Sequence, residues 1–88
     1  MKLFYTAQFK KDFKRIKKQK KDIPKLRAVI ERLAAGRKFL ENHRDHPLSG
    51  QWAGHRDCHI ESDWILIYKT TSDSIVLERT GSHSELFK

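Results

Sequence analysis

The spacing of apolar residues predicts a short strand and two amphipathic helices in the first part of the chain. Lys2–Thr6 alternates and contains two aromatic residues, which is typical of a strand. From Thr6, a suitable helix cap, apolar residues recur every three or four positions, and a second stripe runs from near Asp22 and Pro24 to Gly36. The stripes consist of Phe9, Phe13 and Ile16, then Leu26, Val29, Ile30 and Leu33. We expect both to face a core.

The helical period is lost from Phe39 onward, and the rest of the chain predicts a β-sheet. Polar Glu41–Gly50 is expected to be a loop. Three strand-like runs follow, with turns at 61–62 and 71–74; they are Trp52–Ile60, Trp64–Lys69 and Ile75–Thr80. The run from Trp64 is apolar on both faces, which indicates the central strand. We predict one α+β domain over residues 1–88, with an N-terminal strand and a helical hairpin packed on an antiparallel β-meander.

Charge is distributed unevenly over these elements. The 88 residues carry a formal net charge of +8, and residues 1–38 hold 14 of the 19 Lys and Arg residues but only three of the 11 acidic residues. A merely solvated helical face is the ordinary explanation of such lysines. Here the imbalance is large enough to favour contact with a polyanion, because a phosphate backbone relieves the repulsion. The candidate nucleic-acid-binding residues are Lys10, Lys11, Lys14, Lys17 and Lys18.

Composition excludes several classes of protein. The chain has no apolar stretch approaching the roughly 20 residues of a membrane span, and its basic N-terminal region lacks the apolar segment of an export signal. Cys58 is the single cysteine, so the chain can form neither an internal disulfide nor a cysteine-based zinc site. We therefore expect a soluble cytoplasmic protein with no membrane partner.

The histidines suggest where the chemistry lies. All five follow residue 38: His43, His46, His55, His59 and His83. A strand period of two places His55, Asp57 and His59 on one sheet face and Cys58 on the other. With Asp63 in the next turn, we predict that His46, His59 and His83 converge on the face away from the core.

Three chemistries suit such a cluster. A His/Asp metal site lacks any spacing that presets its ligands, and a Cys–His nucleophile is disfavoured because Cys58 should point into the core. Metal-free phosphoryl transfer on RNA fits best, since the 2′-OH is itself the nucleophile and histidine changes charge near neutral pH. In that reaction Arg79 could hold the non-bridging oxygens.

Four segments resemble a known family. They are Asp45–Trp52, Arg56–Ile60, Asp63–Tyr68 and Arg79–Phe87, and together with the lysine-rich hairpin they are similar to the YafQ branch of the RelE/ParE toxin superfamily. The resemblance implies the RelE-like fold and a toxin of a type II toxin–antitoxin system. Such a toxin is a metal-independent endoribonuclease that cuts mRNA, typically on the translating ribosome, without a cofactor.

The resemblance also implies residue roles. The matched catalytic positions are His46, His59, Asp63 and His83, with Asp57 as a nearby acid, Arg79 at a phosphate-binding position and Phe87 as the aromatic that helps hold a base. We expect His46 and His83 to be the proton-transfer pair, with the acid and the base not yet assigned. Attack of the 2′-OH would leave a 2′,3′-cyclic phosphate and a 5′-OH.

The expected partners are mRNA, the ribosome with its RNA, and a cognate antitoxin with an acidic segment. Operator DNA is expected only through the antitoxin complex. Two other functions remain open at this point. A non-catalytic nucleic-acid-binding module or corepressor would explain the lysines but not the histidines. A ParE-like toxin directed at gyrase would share the fold without needing the histidine set.

Overall fold

Five strands form one sheet, and two helices cover one of its faces. The structure, a computed structural model, describes residues 2–36 and 44–87. Its elements are β1 (Lys2–Tyr5), α1 (Ala7–Lys18), α2 (Ile23–Ala34), β2 (His46–Pro47), a 3-10 turn (Gly50–Trp52), β3 (Arg56–Glu61), β4 (Trp64–Thr70), β5 (Ser74–Gly81) and α3 (His83–Leu86). The strand order is β1-β5-β4-β3-β2. The α+β fold class is confirmed, and so is the antiparallel meander of β3, β4 and β5, which β1 extends in parallel beside β5.

The two predicted helices are confirmed close to their expected ends. Thr6 caps α1, since its Oγ1 accepts a hydrogen bond from the Phe9 amide at 2.9 Å. Pro24 lies in the first turn of α2, where its missing N–H costs nothing, and Asp22 precedes that turn without a side-chain capping bond. Each helix has 12 residues. Within the described ranges, no helix is long and apolar enough to cross a bilayer.

Strand β4 is the centre of the structure, as its double-sided apolar sequence predicts. Its residues from Trp64 to Tyr68 are all buried. Alternate side chains pack with the apolar stripes of α1 and α2, whereas Ile65 and Ile67 face the opposite side and contact Leu48 and Trp52. The sheet therefore has a helix-covered face and an open face with a much smaller apolar cluster.

Beyond the end of β1, side chains of helix α1 and its cap residue hydrogen-bond to the exposed edge of β5. Thr6 donates through Oγ1 to the carbonyl of Glu78 at 3.0 Å. Further along, buried Asp12 accepts from the amide of Thr80 at 3.2 Å, and Arg15 donates to the Thr80 carbonyl at 3.0 Å. Side chains thus satisfy backbone groups that a neighbouring strand would otherwise pair. This arrangement fixes α1 against the end of β5 that leads into α3.

The predicted strand Trp52–Ile60 is wrong at its beginning. Residues Gly50–Trp52 form a 3-10 turn, and Gly54 has a φ of 87°, which a strand residue cannot adopt. The His55 amide donates to the carbonyl of Trp52 at 3.0 Å, closing a turn. Regular pairing starts only at Arg56. Trp52 is apolar because it packs against Ile65 and Ile67 on the open face.

Two short elements differ from the sequence prediction. His46–Pro47, expected within a loop, forms a two-residue strand opposite Asp57 and Arg56. Residues 41–43 of that predicted loop lie outside the described residues. Helix α3 was not predicted, because a single turn is too short to show a periodic apolar pattern.

Candidate active site

The open face of the sheet carries the predicted polar pair of β3. Asp57 pairs with Ile67 across β4, and His59 pairs with Ile65, so both lie on the side away from α1 and α2. Cys58 is fully buried on the helix-covered side, and burial raises the pKa of its thiol. The predicted alternation is confirmed, and it removes Cys58 as a nucleophile for chemistry on the open face.

Three histidines form a row on this face. The ring centroids of His46 and His59 are 6.3 Å apart, and those of His59 and His83 are 5.4 Å apart. Phe87 continues the row, with its ring 6.2 Å from that of His83. Strands β2 and β3 and the helix after β5 each contribute one histidine. The predicted convergence of distant imidazoles is confirmed.

His55 is the exception among the histidines of the β3 region. Its Nε2 lies 2.8 Å from Oε2 of Glu78, and its ring meets the edge of Trp52 at 5.2 Å between centroids. These contacts occupy the turn before β3. His55 therefore serves the packing of the open face, whereas in the row each ring contacts its neighbour.

Asp57 lies at the base of the row, next to His46. Its side chain is only 3% exposed, and its Oδ1 is 2.8 Å from Nε2 of His46. Burial raises the pKa of Asp57 above its ordinary value, although His46, His59 and His83 pull it down. The pKa of Asp57 therefore reflects two opposed effects, burial and three nearby imidazoles, of which burial is the larger.

Asp63 holds His83 from the turn between β3 and β4. Its Oδ1 accepts a hydrogen bond from the His83 amide at 3.0 Å and is 2.7 Å from ring Nδ1. The backbone and side-chain bonds from His83 keep the pKa of Asp63 below its ordinary value. Because a carboxylate only accepts, Nδ1 carries the proton, and Nε2 of His83 is the nitrogen free to exchange one.

Arg79 forms its hydrogen bonds with Asp12 and not with the histidine row. Its Nε and Nη2 donate to the two carboxylate oxygens of Asp12 at 2.8 and 3.0 Å. Burial alone would raise the pKa of Asp12, but the bonds from Arg79, Gln8 and the Thr80 amide outweigh it and lower the pKa. The structure thus gives Arg79 a structural partner that the sequence did not reveal. Its phosphate-binding role stays a prediction.

The five predicted nucleic-acid-binding lysines are all exposed on α1: Lys10, Lys11, Lys14, Lys17 and Lys18. Beside them, a groove of about 660 Å³ opens between α1 and α2. Its floor is apolar and includes Leu3, Phe9, Phe13, Ile23, Leu26 and Ile30, and its rim carries Lys10, Lys14, Lys17 and Arg27. The two apolar stripes are therefore only partly covered, although their spacing predicts that both face a core.

The part of the chain that the structure describes contains no preformed metal-binding site. Over residues 2–36 and 44–87, no three His, Cys, Asp or Glu side chains are placed to hold one ion. The close contacts of the row are instead at hydrogen-bond distance, between imidazole and carboxylate. Independence of the reaction from metal stays a prediction.

Comparison with known proteins gives one consistent family. A family model described as a bacterial toxin of type II toxin–antitoxin system, YafQ, matches residues 1–88. The curated mRNA interferase toxin YafQ of Escherichia coli strain K12 is 45% identical over 84 residues, which cover 94% of this chain and 91% of the relative.

Solved structures agree with this match. The crystal structure of YafQ from E. coli strain BL21(DE3) superposes with a TM-score of 0.95 and 41% identity, covering 98% of this chain and 97% of that one. YafQ in the E. coli DinJ–YafQ complex gives 0.92 and 42%, with coverage of 98% and 97%. The family resemblance read from the sequence segments is confirmed.

Proposed function

The chain belongs to the YafQ family of type II toxin–antitoxin toxins and is an endoribonuclease of the mRNA-interferase kind, and we propose that a row of three histidines cleaves mRNA on the ribosome. The observation that supports this mechanism is the spacing of His46, His59 and His83, whose neighbouring rings lie 6.3 and 5.4 Å apart. RNA supplies its own nucleophile in the 2′-OH, so the protein has to supply a base, an acid and positive charge.

We assign His83 as the base. Its Nδ1 faces the carboxylate of Asp63, so neutral His83 presents an unprotonated Nε2 to the substrate. That nitrogen takes the proton of the 2′-OH as the oxygen attacks the adjacent phosphorus. The resulting imidazolium is stabilised by Asp63, in the way that a carboxylate supports a catalytic histidine elsewhere.

We assign His46 as the acid. Both of its nitrogens face acceptors, because Nδ1 is 3.2 Å from the Pro47 carbonyl and Nε2 is 2.8 Å from Asp57. As the acid, the ring carries a proton on each nitrogen. The ring is half-exposed, and Nδ1 makes the longer of the two contacts. Nδ1 therefore donates its proton to the departing 5′-oxygen. Cleavage then leaves a 2′,3′-cyclic phosphate and a 5′-OH.

His59 and Phe87 complete the substrate site. His59 lies between the acid and the base, where a protonated ring would neutralise charge that develops on the phosphate. Phe87 is 38% exposed beside His83, and its face is available for stacking on a base displaced from the message. Arg79 is a weaker candidate for the phosphate, since Asp12 already binds two of its nitrogens.

The lysine face of α1 supplies the electrostatic part of substrate binding. Five exposed lysines on a helix of 12 residues attract a phosphate backbone and release its counterions. Ribosomal RNA is the proposed polyanion, with the message threaded to the histidine row. A protein that acts on translating ribosomes works in the cytoplasm.

The cognate partner is an antitoxin, as in the E. coli DinJ–YafQ complex. The groove between α1 and α2 suits an amphipathic segment whose apolar side covers Phe13 and Ile30 and whose acidic side meets Lys14 and Arg27. Such a segment would also cover the cationic surface used for RNA. Operator DNA would then be bound through the antitoxin of the complex.

The test is cleavage of mRNA on purified translating ribosomes, with the new 5′ ends mapped and their chemistry determined. Cuts with a 5′-OH and a 2′,3′-cyclic phosphate are expected from the wild-type chain and not from His83→Ala. Gyrase inhibition without cleavage would instead favour the ParE-like alternative. Nucleic-acid binding with neither activity would favour a non-catalytic module.

A further inference from the structure

Helix α3 is held in place by more than its own turn. It has four residues, far fewer than a helix needs to be stable alone. Yet it carries His83 at its start and leads directly into Phe87. The position of the proposed base therefore depends on whatever fixes this single turn to the rest of the fold.

Glu85 makes two kinds of contact from one carboxylate. Its Oε1 accepts from the Ser82 amide at 2.8 Å, while its own amide donates to Ser82 Oγ at 3.2 Å, which forms a capping box. Its Oε2 lies 3.1 Å from Nε of Arg15 and accepts from Gln19 at 3.2 Å. The first oxygen closes the turn of α3, and the second joins that turn to α1.

Arg15 is a firm anchor for this contact. It donates to Asp12 at 3.1 Å and to the carbonyl of Thr80 at 3.0 Å, so its guanidinium is fixed at the end of β5. The backbone of Gly81 passes against the pair: a Cβ there would lie 2.5 Å from Nη2 of Arg15 and 3.0 Å from Oε1 of Glu85. A side chain at Gly81 would have to displace the ion pair.

We propose that Glu85, acting through Arg15, is a positioning residue that fixes His83 for proton transfer. The inference rests on the proposed role of His83 as the base. Asp63 fixes the ring of His83 on one side, and the Glu85–Arg15 ion pair fixes the backbone of the same turn on the other. Buried Leu86 packs with Ile65 and Ile67 and adds an apolar contact beneath the same turn.

Two substitutions distinguish the roles of the two carboxylate oxygens of Glu85. Glu85→Gln keeps an acceptor for the Ser82 amide but removes the charge that holds Arg15, whereas Glu85→Ala removes both. Since a displacement of about 1 Å at a reacting group can cost on the order of 10²-fold in rate, we expect kcat to fall about 10-fold in Glu85→Gln and about 100-fold in Glu85→Ala, with KM changed less than about twofold. Glu31→Gln, the same change at an exposed position of α2, is the matched control and should match wild type.

A second readout does not depend on cleavage. The ring protons of His83 should shift in NMR spectra of Glu85→Gln, and their contacts with Phe87 should weaken, while signals of His55 stay in place. Arg15→Gln combined with Glu85→Gln should lower kcat no further than Arg15→Gln alone.

The outcomes distinguish this inference from the proposed function. If wild type cuts mRNA but Glu85→Gln keeps wild-type kcat and unchanged His83 signals, Glu85 does not position the base and the inference is wrong. If wild type cuts nothing, the catalytic proposal fails, and the NMR shift of His83 alone decides whether the ion pair positions the turn. A fall in melting temperature with kcat intact would show a purely structural role and would also overturn the inference.

Discussion

One carboxylate oxygen of Asp63, Oδ1, contacts both the backbone and the ring of His83: it is 3.0 Å from the amide nitrogen and 2.7 Å from Nδ1. The turn between β3 and β4 thereby fixes both the position and the proton of the imidazole. The side chain of Asp63 is itself 67% exposed, so Asp63 contributes by orienting His83 and not by being buried. This pairing makes Asp63 the second residue, after His83, on which proton transfer should depend.

Asp63→Asn should therefore lower the cleavage rate about 100-fold, the lower range for a well-placed acid or base. An asparagine amide can donate to Nδ1, which moves the histidine proton to Nε2 and blocks the base. His83→Ala should lose at least as much. Single-turnover cleavage on ribosomes measures both, with circular dichroism as the check on folding. Near-normal cleavage by folded His83→Ala would remove it as the base.

Asp57→Asn should raise stability while it lowers activity. The pKa of buried Asp57 is raised in the folded chain, so ionising it costs stability once the pH exceeds the ordinary range of an aspartate. The melting temperature of Asp57→Asn should exceed that of wild type at pH 7. The difference should shrink as the pH falls and vanish only below about pH 3, where Asp57 of the wild type is protonated in both the folded and the unfolded chain. A variant less stable than wild type at pH 7 would show that the His46 contact outweighs the burial.

Asp12 should have the opposite pH dependence. Its pKa is lowered in the folded chain, so its contribution to stability is present above the ordinary aspartate pKa and is lost as the pH falls through the folded value. Asp12→Ala leaves Arg79 and the Thr80 amide without their acceptor. Removing one partner of a buried pair costs about 3–5 kcal/mol, and the lower end applies because Arg79 is 21% exposed in its side chain.

Urea unfolding at pH 7 and at pH 3 measures that loss for Asp12. Asp22→Asn is a suitable control, since this exposed residue makes no side-chain capping bond. Equal free energies of unfolding for wild type and Asp12→Ala at pH 7 would mean that the edge of β5 is held by other contacts. Arg79→Gln should resemble Asp12→Ala in stability if its role is structural.

The elements of the fold were predictable where one physical cause dominates a long segment. Burial on both faces of β4 leaves an unbroken apolar run from Trp64 to Tyr68, and the stripes of α1 and α2 follow from one-sided burial. The start of β3 was not predictable in this way. Trp52 is apolar because it packs on the open face, and a turn at Gly54 separates it from the strand.

The site was only partly predictable. Alternation along β3 correctly separated Asp57 and His59 from Cys58, and the family segments brought His83 into the same cluster. The partner of Arg79 could not be found, because Asp12 is 67 positions away and the pair depends on how α1 lies along β5. The capping box of Ser82 and Glu85 was present as a Ser-x-x-Glu signal, but a single turn offers no periodicity to support it.

Cleavage should persist in excess EDTA. The proposed reaction uses the 2′-OH and the histidines, and no proton transfer in it passes through a metal ion. Because chelation also removes magnesium from ribosomes, the assay should use a short RNA oligonucleotide at high enzyme concentration, with and without EDTA. His83→Ala in the same buffer reports contaminating nuclease. Loss of cleavage in EDTA that added metal restores would return the histidine row to the metal-site interpretation.

The lysine face of α1 should set the salt dependence of ribosome binding. Each phosphate contact contributes about 0.7–0.9 to the slope of log K against log salt concentration. The triple substitution Lys10→Gln, Lys14→Gln and Lys17→Gln should therefore reduce the slope by about 2–3 and weaken binding. Lys69→Gln, which lies in β4, is a single-charge control expected to leave the slope nearly unchanged. Binding to salt-washed ribosomes at several salt concentrations measures both. An unchanged slope in the triple variant would mean that these lysines are only solvated and that another surface of the chain binds the ribosome.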